Sequence, residues 1–93
     1  MVPALEQVAE KLDLSPEELW RESLLAYLAR EEHLAEMDIR DLRDRYRVAS
    51  AEELSARIRA GEIHSHPAWE ELIEWENLNA HLQRLKNLKS SLN

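Results

Sequence analysis

Apolar residues recur along this chain at three- and four-residue steps, and the longest such pattern fills its last third. From His66-Pro67-Ala68-Trp69 to Leu92, the residues Trp69, Leu72, Trp75, Leu78, Leu82, Leu85, Leu88 and Leu92 keep to one side of a helix. About 26 residues at ~1.5 Å rise give a rod of roughly 39 Å, longer than a compact domain of this size needs. A second long pattern runs without Gly or Pro from Ser15-Pro16 to Tyr46, through Leu24, Leu28, Ala35, Ile39, Leu42 and Tyr46. Within it positions 28, 35 and 42 repeat every seven residues, the mark of a coiled-coil-like seam. Glu31 and Glu32 interrupt this stripe, so the pattern leaves room for a bend or break near Glu31–His33.

Two shorter elements complete the pattern. Leu5, Val8, Ala9 and Leu12 place a first helix over Ala4 to Leu12, ended by a turn at Asp13-Leu14. Ser15-Pro16-Glu17-Glu18 then reads as a capping box with Pro at the first helical position. Ser50-Ala51-Glu52-Glu53 reads as a second box, opening a helix through Ala60 with Leu54 and Ile58 buried. Gly61, the only glycine, stands where a left-handed residue closes a helix, and Pro67 suits the first turn of the last one. The expected fold is all-α, with four helices in short–long–short–long order. No strand pattern or internal repeat is present. The chain divides into a helical dimerisation region, residues 1–48, and a helical partner-binding region, residues 49–93.

Composition sharpens this picture. A chain of 93 residues with one Gly, three Pro and no Phe suits helix, and is near the size at which association supplies missing burial. The net charge of −7 disfavours DNA and an anionic membrane, and favours a basic protein partner. The chain has no Cys, so it offers no disulfide framework or thiolate metal site, in keeping with a cytoplasmic setting. No apolar run reaches membrane-spanning length, and Met1-Val2-Pro3-Ala4 lacks the features of a signal peptide.

Charge is also uneven along the chain. Glu62, Glu70, Glu71, Glu74 and Glu76 precede a segment holding Arg84, Lys86 and Lys89, a polarity that matches the helix dipole. Trp20, Trp69 and Trp75 are the largest apolar side chains, each suited to a core, a dimer interface or an anchor for another protein. His64, His66, His81 and Glu70 lack the spacing of a zinc motif, and no metal or cofactor is expected. Arg40, Arg43, Arg45 and Arg47 interleave with Asp38, Asp41 and Asp44, which describes helix-surface ion pairs more than a phosphate ridge. With no Gly-rich loop, no Cys nucleophile and no Ser elbow, the residues do not describe an enzyme.

Two resemblances bear on what the chain is expected to bind. Val8-Ala9-Glu10-Lys11-Leu12-Asp13-Leu14-Ser15-Pro16-Glu17-Glu18-Leu19-Trp20 and the run to Tyr27-Leu28 resemble the helix pair of ribbon-helix-helix proteins. That family's DNA-reading ribbon has no counterpart, since only Met1 to Pro3 precede the first helix and Pro3 cannot donate to a ladder. DNA binding is therefore not implied. The second half, with Ala51-Glu52-Glu53-Leu54, Arg57-Ile58-Arg59-Ala60-Gly61 and His66-Pro67-Ala68-Trp69-Glu70-Glu71-Leu72-Ile73-Glu74-Trp75, resembles small prokaryotic antitoxins of toxin–antitoxin modules. The resemblance implies a C-terminal helix that occludes a partner toxin, often a ribonuclease. The expected partner-binding set is Trp69, Glu70, Leu72, Ile73, Glu74, Trp75 and Leu78. The expected oligomer interface is Leu24, Leu28, Ala35, Leu42, Leu82 and Leu85. The alternative is a homo-oligomeric helical scaffold whose stripes are covered by its own copies.

Overall fold

The computed structural model describes residues 2–93, with side chains from Ala4 onward. It is all-helical: α1 spans Val2–Lys11, α2 Pro16–Tyr46, α3 Ala51–Arg59 and α4 Ser65–Leu92, with no strand among the described residues. Val2 and Pro3, which would have had to supply a ribbon, begin α1; Met1 lies outside the described residues.

Local chemistry explains most boundaries. The Ser15 hydroxyl accepts the Glu18 N–H at 3.0 Å, and the Glu18 carboxylate accepts the Ser15 N–H at 3.1 Å, a complete capping box. At Ser50 the box is only half formed. Its hydroxyl accepts the Glu53 N–H, but Glu53 turns its carboxylate to the Ala49 N–H and to Arg57. Gly61, at φ 78°, closes α3: its N–H reaches the Ile58 carbonyl and the next N–H, of Glu62, reaches that of Arg57. Arg47 performs the same turn after α2 at φ 54°, in a conformation a side chain resists. His66, just ahead of Pro67, is extended at φ −118° and ψ 123°, so the regular part of α4 starts at the proline.

The sequence left room for a bend or break near Glu31–His33; α2 is continuous there. Glu32 lies on the inward line of α2 between Leu28 and Ala35, only 9% exposed, and its carboxylate accepts a hydrogen bond at 2.6 Å from Lys89 of α4. A charge from another helix thus satisfies the carboxylate that interrupts the apolar stripe, and α2 runs on unbroken.

Helices α2 and α4 lie antiparallel. Glu71, early in α4, meets Arg45 and Tyr46 at the end of α2, whereas Lys89, late in α4, meets Glu32 farther back. Ile39 and Leu42 of α2, Val48 of the loop, Ala51 and Leu54 of α3, and Leu72 and Trp75 of α4 form one core. Three helices share this core, and α1 packs on α2 outside it. Since α4 ends only three residues beyond Lys89, about 4.5 Å further on, the first turns of α2 project past it and receive α1 instead. The molecule is a rod of 60 × 20 × 19 Å.

Candidate functional site

Helix α4 divides the expected partner-binding residues between inside and outside. Leu72 and Trp75 are 3% and 2% exposed and belong to the chain's own core. They are not surface anchors, because α2 and α3 already cover the face they share. Leu78 is half-buried against the same core. Trp69 and Ile73, one turn apart, remain on the surface at 47% and 45% exposure, with Glu70 and Glu74 exposed beside them. Glu70 also holds the His66 ring at 2.8 Å.

The residues assigned to an oligomer interface show a similar departure. Leu28, Ala35, Leu42 and Leu85 are buried within the single chain, and Leu24 and Leu82 are half-buried. Much of the apolar stripe of α2 meets α4 of its own chain. A periodic pattern shows that a helix face is apolar; it does not say which molecule covers it.

Two clefts lie along the α2–α4 seam. One, of about 390 Å³, is lined by Glu36, Ile39, Arg40, Arg43, Asn79 and Leu82. The other, of about 210 Å³, is acidic, with Asp38, Asp41, Glu71 and Glu74 around Leu42 and Arg45. Glu71 ties its lower edge, accepting hydrogen bonds from the Arg45 guanidinium and the Tyr46 hydroxyl. Partial burial and the Glu71 carboxylate push the Tyr46 hydroxyl up to about 12. Both clefts are shallow and open along the rod, and neither gathers the histidines: His64 accepts the His66 N–H, while His81 sits beside Arg84. Among the described residues no three His, Cys, Asp or Glu side chains are placed to hold a metal ion. No described helix is long and apolar enough to cross a membrane.

A further apolar surface lies on α2. Trp20, Tyr27, Leu34 and Met37 of α2 are 59%, 56%, 43% and 45% exposed. The signal was present, since positions 20, 27 and 34 are seven apart, but it ran beside the stronger 28, 35, 42 repeat.

No curated protein and no solved structure matches the chain. A family model does match, over residues 1–93, and the chain therefore belongs to the family described as the Uncharacterized protein MJ0235 family.

Proposed function

We infer that this chain is a non-catalytic binding protein that offers the start of α4 to a protein with a basic surface. One observation carries the reading: Trp69 and Ile73 stay exposed one turn apart, with exposed Glu70 and Glu74 flanking them on one side, while their neighbours Leu72 and Trp75 are buried in the core. A half-exposed Trp beside exposed carboxylates suits a hot-spot contact, with the acids steering approach. The antitoxin resemblance gives this reading its most specific form, a cytoplasmic neutraliser of a basic toxin such as a ribonuclease.

The test is affinity purification of the full chain from its native cells, beside the Trp69→Ala and Ile73→Ser double variant. A basic protein retained by the native chain and lost from an equally stable variant supports the reading. Identical captured sets overturn it. A second reading, a homo-oligomeric structural module, is favoured by a different surface, the outward row on α2.

A further inference from the structure

The exposed residues of α2 form an ordered seam. Tyr27 and Leu34 each precede a buried residue, Leu28 and Ala35, by one position, so their row is turned about 100° from the core-facing line. Ser23, Arg30 and Met37 follow Trp20, Tyr27 and Leu34 by three residues each, and all six are exposed. The spacing 20, 23, 27, 30, 34, 37 alternates steps of three and four, which is the a/d pattern of a coiled coil. The seam faces outward, on a helix whose inward face is already packed against α4 and α1.

We propose that this seam is an interface with a second copy of the chain, its two α2 helices running antiparallel about a two-fold axis near residues 27–30. The proposal builds on the homo-oligomeric reading and does not involve the α4 patch. Charge decides the orientation. Arg30 has no acid three or four residues away in either direction and enters no ion pair among the described residues. Parallel helices would set Arg30 against Arg30 on the dyad, two like charges in a desolvated seam. Antiparallel pairing sets each Arg30 against Tyr27 of the second copy, where a guanidinium lies over an aromatic face. The same register sets Trp20 against Met37 of the second copy, a sulfur–aromatic contact, and Leu34 against Ser23. One surface thereby complements itself, as an isologous interface requires. The contact covers about 18 residues of helix, roughly 27 Å, from each copy. That places it at the low end of specific interfaces, near 1,200 Å² in total, the size class of weak and transient contacts.

Sedimentation equilibrium of the full chain from about 1 µM to about 1 mM provides the test, with circular dichroism confirming that each variant folds. The native chain should pass from monomer to dimer within this range. Leu34→Glu and Trp20→Ala, at surface positions, should keep native helicity and melting while shifting the midpoint at least ~10-fold upward. Arg30→Ala should weaken the dimer about 5- to 30-fold, through loss of two cation–π contacts. A chain that stays monomeric throughout, or a dimer indifferent to Leu34→Glu, overturns the proposal. So does a dimer tightened by Arg30→Ala, because only the parallel arrangement gains from removing that charge. Leu34→Glu leaves Trp69 and Ile73 untouched, so failure here and failure of the α4 reading are read from different variants.

Discussion

The Glu32–Lys89 pair makes a prediction with an asymmetric outcome. Glu32 is the one buried charged residue in the described structure, and its side chain keeps 11% of its exposure against 36% for that of Lys89. Removing the lysine as Lys89→Met strands a carboxylate between Leu28 and Ala35. Breaking a fully buried pair this way costs ~3–5 kcal/mol, but Lys89 lies in the last turns of α4, where water can reach the carboxylate. Discounting for that access leaves about 1–2 kcal/mol, or a fall in Tm of roughly 5–15 °C for a domain of this length. Glu32→Leu should behave oppositely. The freed ammonium swings into solvent on its long stem, and a leucine on the core-facing line adds apolar burial, so stability should hold or rise by up to ~1 kcal/mol. The double variant should match Glu32→Leu, giving a coupling of about 1–2 kcal/mol. Thermal and urea melts of the four proteins, with coincident probes to establish two-state behaviour, supply the cycle. If Lys89→Met melts with the native chain, or if the double variant is weaker than both single ones, the pair is not what holds Glu32 in the seam. The pair also selects register. Of the buried or half-buried positions on α4 beyond Trp75, namely Leu78, His81, Leu82, Leu85, Lys89 and Leu92, only Lys89 carries an ammonium, so another alignment would take that partner from Glu32.

Further outcomes follow from other sites. Trp75→Ala should cost ~3–5 kcal/mol and lower the melting of the isolated chain, since this 2%-exposed ring fills the centre of the three-helix core; an unchanged melt refutes that placement. Arg47→Gly should raise stability by about 0.5–1 kcal/mol in urea titration, because glycine relieves the left-handed φ of 54° after α2; a loss would mean that the arginine side chain contributes more than the strain costs. Tyr46, with its folded value raised from 10.0 to about 12, should contribute stability that is full below pH 10 and declines as pH rises toward 12, because the unfolded chain releases the proton first. Solvent screening holds this contribution to about 1 kcal/mol or less, and Tyr46→Phe should flatten the alkaline slope of stability against pH. A slope that survives the substitution assigns it to another group.

Helix class and helix ends were legible in the chain because their causes are local. Ser15 with Glu18, Ser50, Gly61 and Pro67 act within a few residues of themselves, and each marks an end where the sequence placed one. The continuity of α2 was not legible. Two acids in an apolar stripe argue for a break, and the cation that removes the argument lies 57 residues away on α4. Nor could periodicity divide the apolar residues between inside and outside. It put Leu72, Trp75, Leu28 and Leu42 on apolar faces, and only the antiparallel packing of α2 with α4 and α3 decided that one chain buries them all. The same packing left Trp69 and Ile73 on the surface of α4, and Trp20, Tyr27, Leu34 and Met37 on that of α2. A helical repeat records the angle of a side chain about its own axis; what stands at that angle depends on where every other helix comes to rest.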